Sequence, residues 1–553
     1  MDVTQHPLVQ SLRNAGGMDS YFMAPISRIF GTLLMSLVLA MAACSGNGNT
    51  GPVQPAQAGS APEATAGERV LRAGLPFLFT NQPPDPARGG GFHLIQTGLG
   101  ETLFKLSQDL RPEPWLATGA EYIDERTWRV TLHQGVVFHN GKLMDAAAVK
   151  ASLERAISKS PTSMALLDIE RIEVNDPLTL TIATNRPSPV FPGMLTDPSS
   201  VILDAADARA GGDDVINENP VLTGPFKWER FQPDRELVVV RHQEYWGTPP
   251  SVDRAVFLYI PDNNSRVLAL QSGDIDIASY IAPESVPTVE DTSNLAVVPA
   301  APVALEFMYL NLQRTPWEDG RVREAVALAI NREALVNAVM QGLGTAATGP
   351  FPPAFLMCPQ LQGHPFDPVS AKQLLAQAGY LDMNGDGLVE RDGQTLTMTL
   401  LTYRQRPELP PMAEAIQGSL KTIGIKVDVR MVEQINPALE GTDWDSGMYF
   451  NNMATTGDPY WALSQFFATG GDANRGGYSS PRVDELTRQV EQATDRQVRE
   501  QLACDASQVV IDDVAVVPLL YPNFNYGVSR TVAGFDKPHP FFLYFMDSQI
   551  GKR

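Results

Sequence analysis

The densest run of candidate ligands in this chain is Asp382-Met-Asn-Gly-Asp-Gly-Leu-Val-Glu390. Asp382, Asn384 and Asp386 alternate as oxygen donors, a glycine follows, and Glu390 comes ninth, which is the spacing of the first half of a calcium loop. Gly393 stands where such a loop needs its bidentate acid, although Asp392 is adjacent. The run is therefore a candidate structural calcium site, with a polar turn ahead of a strand as the other reading. The histidines His93, His133, His139, His242, His364 and His539 form no i, i+4 pair, so a zinc site from protein ligands alone is not expected. No nucleophile elbow, Walker loop, H-E-x-x-H helix or dinucleotide fingerprint occurs. Gly141-Lys142 is followed by Leu143 rather than Ser or Thr. An exported hydrolase would need a nucleophile–base pair or paired carboxylates, and no such constellation is legible. The expectation is a binder that requires no cofactor.

The cysteines sharpen the setting. Cys44, Cys358 and Cys504 are too few for a disulfide framework. Whether Cys358 and Cys504 pair or remain thiols cannot be read from their separation. Cys44 ends an apolar run, Ile29 to Ala43, through Leu39-Ala40-Met41-Ala42-Ala43. Fifteen helical residues rise about 22 Å, short of the ~30 Å hydrocarbon core, so the run reads as a signal-peptide segment. Small residues before the cysteine resemble the bacterial lipobox, which implies lipidation of Cys44 and a membrane anchor on an extracytoplasmic body. Residues 1–22 lack signal character, leaving Met1, Met18 or Met23 as the start. Residues 45–68 are rich in Gly, Pro, Ala, Ser, Thr and Gln and read as a flexible tether.

The whole chain carries 42 Lys and Arg against 63 Asp and Glu, a formal charge of −21. That surface disfavours nucleic acid and anionic lipid, so contact with the membrane is expected through the lipid alone. A chain of 553 residues exceeds one core and calls for two or three domains. Residues 126–132 alternate as a half-buried strand, and 237–241, 255–260, 395–402, 426–432 and 514–521 are also strand-like. Residues 143–157, 322–340 and 371–378 follow helical spacing, the last two stopped by Gly342 and Gly379. Interleaved strands and helices make the class mixed α/β in more than one lobe.

Ordered blocks then carry a resemblance. Gly98-Leu-Gly-Glu-Thr-Leu-Phe104, Pro114-Trp-Leu-Ala117 and Gly135-Val-Val-Phe-His-Asn-Gly141 come first. Thr223-Gly-Pro-Phe226, Glu244-Tyr-Trp-Gly247, Val322-Arg-Glu-Ala325, Gly457-Asp-Pro459 and Tyr478-Ser-Ser-Pro-Arg-Val-Asp484 follow. The set resembles the family 5 extracytoplasmic solute-binding proteins of peptide, dipeptide and nickel ABC importers. The resemblance implies a periplasmic-binding-protein-like fold of two hinged lobes, with an extra domain inserted in the first. A monomer is expected, handing a small ligand to permease subunits. The implied boundaries are 1–43 signal peptide, 44–68 tether, 69–108 and 219–300 lobe I, 109–218 inserted domain, 301–515 lobe II and 516–553 the return to lobe I. A signalling lipoprotein of the same fold is the other non-catalytic reading.

The cargo is read from positions aligned to the family. Peptide-binding members typically hold the peptide amine with an aspartate before the Asp-Pro pair; aligned on Asp458-Pro459, that position is the neutral Thr455. Leu400-Leu-Thr-Tyr-Arg-Gln-Arg-Pro-Glu408 resembles the nickel and metal-chelate branch. The resemblance points to Asn451, Met453, Thr455, Asp458, Tyr403, His93 and Met164 around the ligand, with Arg404 and Arg406 as carboxylate partners. The cargo expected is an oligopeptide or a nickel or other metal chelate.

Overall fold

The computed structural model describes residues 67–79, 83–206, 213–546 and 549–553. Cys44, the signal segment and most of the tether lie outside the described residues.

The first lobe is built on a seven-stranded sheet. Its order is Leu295–Ala300, Phe524–Ser529, Ile277–Ala278, Val70–Leu75, Arg254–Tyr259, Glu236–Arg241 and Phe226–Gln232. Val70–Leu75 runs parallel to Arg254–Tyr259, with Val70 opposite Arg254. The second lobe holds a six-stranded sheet ordered Gly344–Ala346, Val516–Pro522, Ala304–Leu310, Ser446–Asn452, Thr397–Tyr403 and Lys426–Val432. Ala304–Leu310 is its centre, and all seven of its residues are buried. A strand covered on both faces reads as a nearly continuous apolar run, and Glu306 is the single charge inside it.

The inserted domain has its own four-stranded sheet, Ala117–Asp124, Thr127–Leu132, Thr179–Thr184 and Ile169–Asp176. Thr127–Leu132 shows the expected alternation, with Trp128, Val130 and Leu132 inward. Helix Ala146–Lys159 covers this sheet and starts where Asp145 accepts from Ala148 N at 2.8 Å. Arg155 on that helix donates to both carboxylate oxygens of buried Asp85, at 2.9 and 2.6 Å. This forked pair joins the inserted domain to lobe I.

The chain crosses between the two large sheets twice. The first crossing lies between Ala300 and Ala304, beside the boundary expected at 300/301. The second falls between Pro522 and Phe524 rather than at 515/516, because Val516–Pro522 pairs with Ala304–Leu310 of lobe II. The long helix expected over 322–340 is two helices, Gly320–Ala329 and Arg332–Ala338. Asn331 breaks it by capping Ala334 N at 3.0 Å, and Arg332 turns into the core to donate to Pro518 O and His364 O. Cys358 and Cys504 form a disulfide, which settles the alternative left open by their spacing.

Candidate functional site

Beside the two crossings, lobe I presents Tyr280, Phe524 and Phe542, and lobe II presents Ala304, Phe450 and Asn452; together they wall a narrow cavity. Phe524 and Phe542 stack with centroids 4.7 Å apart, and Phe92 lies 4.9 Å from Phe542. Opposite them, Arg406 covers Phe450, its guanidinium carbon 3.5 Å from the ring centroid, and lies 5.2 Å from the Tyr280 ring. A guanidinium over aromatic faces keeps its charge with little loss and still offers its edge to a ligand carboxylate. No side-chain ion pair ties Arg406 among the described residues, whereas Arg186, Arg254 and Arg499 all have one.

The main-chain scaffold explains why these groups stay in place. Tyr280 follows strand Ile277–Ala278, and its loop is held by the buried Arg266, which donates to Ser279 O, Tyr280 O, Ile260 O and Pro261 O. Burial pulls the Arg266 pKa down to about 10, still high enough to keep it charged at neutral pH. Arg406 and Glu408 sit between strand Thr397–Tyr403 and helix Leu409–Lys421.

A second, larger cavity of about 440 Å³ separates the inserted domain from lobe II. Thr162, Asp168 and Arg186 line one wall; Thr456, Tyr460, Trp461 and Glu491 line the other. The walls meet where Gly193 approaches the Thr456 carbonyl so closely that a Cβ would lie 2.6 Å from it. Arg186 bonds Asp168 at 2.9 Å and reaches to 3.7 Å from Glu491, linking the inserted domain to lobe II.

The residues singled out from the sequence divide between these places. Tyr403 is buried and Arg406 is half-buried beside Phe450 and Tyr280, whereas Arg404 is exposed. Asn451 is half-buried and donates to Asn452 O at 3.0 Å. Met453 is fully buried, its amide bonded to Val303 O at the first crossing. Thr455 donates to Asn452 O at 3.2 Å. Asp458, which lines the larger cavity, is committed to Arg499 through contacts of 2.8 and 2.5 Å and also caps Tyr460 N. Met164 is 59% exposed, while its neighbours Thr162 and Ala165 line the larger cavity. His93 packs edge-on against Phe79 and Phe92 and contacts Gln96 at 3.2 Å; burial lowers its pKa to about 4.

The candidate calcium loop closes on itself. Asp382 accepts from Gly385 N and Gly387 N, Asn384 from Asp386 N, and Asp386 from Leu388 N. Among the described residues no three His, Cys, Asp or Glu side chains are arranged to hold a metal.

Sequence reasoning missed Tyr280, Glu306, Glu408 and Phe450. Glu306 carried a usable signal, since a lone carboxylate in an apolar strand must face a partner or a site.

Two sheets joined by paired crossings, with an inserted domain tied to both lobes, define a solute-binding protein of the periplasmic type. Residues 111–474 match the bacterial extracellular solute-binding proteins, family 5 Middle, and the chain belongs to that family. It is 29% identical over 472 residues to the glutathione-binding protein GsiB of Salmonella paratyphi A, covering 83% of this chain and 90% of the relative. A nickel ABC transporter structure from Bacillus halodurans is 30% identical with a TM-score of 0.71, covering 88% of this chain and 100% of the other. Staphylococcus aureus NikA with Ni(L-His)2 is 26% identical with a TM-score of 0.75, at the same coverages. The chain is the extracytoplasmic substrate-binding component of an ABC importer, a binding protein and not an enzyme. Among the described residues no helix is long and apolar enough to cross a membrane.

Proposed function

We infer that this receptor captures a small carboxylate-bearing ligand, either a short peptide of the glutathione kind or a metal chelate such as nickel–histidine. The observation that carries the reading is Arg406, held over Phe450 at the lobe junction without a side-chain ion pair among the described residues. A ligand carboxylate takes the edge of this guanidinium that no direct ion pair occupies among the described residues, and aromatic walls take the rest of the ligand. Relatives that bind glutathione and nickel–histidine support these two chemistries. Thr455 is neutral, so a ligand amine finds no carboxylate there and simple dipeptides fit poorly.

Cys44 anchors the receptor through lipid, and residues 45–68 keep the capture lobes near the permease. Replacing Cys44 with serine should release the protein from membranes; retention of the variant would refute the anchor.

Melting curves with reduced glutathione, a peptide panel and nickel–histidine test the cargo. A ligand bound only by the folded form raises the melting temperature by mass action. No shift with any of them would remove both cargo chemistries.

A further inference from the structure

Glu306 and Glu408 are both buried, and their carboxyl groups face each other within hydrogen-bonding reach. None of their four oxygens receives a well-formed hydrogen bond from the protein. Two bare carboxylates in such a place repel each other and have lost their water, whereas one proton between them supplies the missing donor. The other groups facing the pair are Arg406 and Tyr403 of lobe II and Tyr280 of lobe I. On the sheet, Glu306 stands directly opposite Phe450, the ring that Arg406 covers.

The position of this cluster gives it a mechanical meaning. Tyr280 moves with lobe I, because Arg266 fixes its loop there by bonds to the Ser279 and Tyr280 carbonyls. Arg406 and Glu408 move with lobe II, between strand Thr397–Tyr403 and the helix beginning at Leu409. Tyr280 and Phe450 also share a cavity wall with Ala301, Val303, Pro522 and Asn523, the residues of the two crossings. Any opening about those crossings would draw Tyr280 off Arg406 and admit water to the glutamates.

We propose that Glu306 and Glu408 form a proton-operated latch at the hinge, in which closing takes one proton from solvent into the carboxyl pair and opening returns it. The latch belongs to the lobes themselves and does not depend on which cargo is bound. Burial first, and then the neighbouring Glu408 charge, raise the Glu306 pKa well above the ordinary glutamate value. Because the closed form holds the proton more tightly, it is favoured at low pH. That preference is lost as pH rises from about 4.5 through the raised value.

Small-angle scattering from the ligand-free protein reads the lobe opening directly. The wild type should expand in radius of gyration between about pH 5 and about pH 8.5, and E306Q/E408Q, which mimics the protonated pair, should remain compact throughout. Circular dichroism and melting curves at each pH verify folding. Should the double variant fail to fold, E408Q alone decides: it should move the opening transition to lower pH, because Glu306 loses the charge that repels its own. A wild-type radius independent of pH, a double variant that expands like the wild type, or an E408Q transition that stays put or moves upward would overturn the latch.

Discussion

Arg406 sits face-on to Phe450 at 3.5 Å from the ring centroid, and the same guanidinium lies 5.2 Å from Tyr280 across the lobe junction. One cation thus touches both lobes without a side-chain ion pair among the described residues. Arg406→Ala should weaken capture of whichever probe raises the melting temperature, whether reduced glutathione or nickel–histidine. A charge-assisted hydrogen bond contributes ~1.5–3 kcal/mol, so calorimetric titration should show an affinity loss of about 10- to 150-fold. Arg406→Lys should recover only part of this, since an ammonium lacks the planar fork. Unchanged affinity in both variants would remove Arg406 from the ligand contacts.

Asp458 tests whether a family position is binding or architecture. Its carboxylate is held by Arg499, whose side chain is 2% exposed, and it also caps the turn at Tyr460. Removing one partner of a buried pair strands the other charge and costs about 3–5 kcal/mol. Asp458→Asn should therefore lower the denaturant midpoint strongly while the folded fraction binds as before. A variant with normal stability and impaired binding would place Asp458 against the ligand instead.

His93 supplies a pH dependence of opposite sign to the glutamate pair. Its pKa is lowered by burial from 6.5 to about 4, offset in part by Gln96. The native state therefore prefers the neutral ring. The associated stability is present above about pH 6.5 and declines as pH falls toward 4, by up to ~3 kcal/mol. Urea titrations of wild type and His93→Phe over that range should show the wild type losing stability relative to the variant toward low pH, because phenylalanine fills the aromatic cluster without taking up a proton. Parallel pH profiles would show that His93 is not the group responsible.

Much of the scaffold was legible because periodicity and capping are local. The alternation of Trp128, Val130 and Leu132 marked a strand, and the family blocks gave two lobes with an insert. The divided helix at Asn331 was not legible, since its cause is Arg332 reaching carbonyls from residues 364 and 518. The cleft was read in part. Arg406 was found through its neighbours in sequence, but its partners Phe450 and Tyr280 arrive from strands and loops more than 40 and 120 residues away. Such convergence leaves no local pattern. Glu306 did leave one, because charge inside an apolar strand is costly without a purpose.

Gly457 connects the sequence motif Gly457-Asp-Pro459 to closure. Its φ is +67°, in the left-handed region where a side chain is strained, and a Cβ there would lie 2.7 Å from the Leu110 carbonyl. Strain alone costs about 1 kcal/mol; the added contact pushes lobe II away from the loop that leads into the inserted domain. Gly470 separates the two effects, having a φ of +77° but open space around its Cβ position. Gly470→Ala should lower stability modestly and leave binding intact. Gly457→Ala should lower stability and also weaken binding of the same probe by about tenfold or more, the equivalent of ~1.4 kcal/mol lost on closing. Equal binding by the two variants in calorimetric titration would mean that the Gly457–Leu110 approach plays no part in enclosing the ligand.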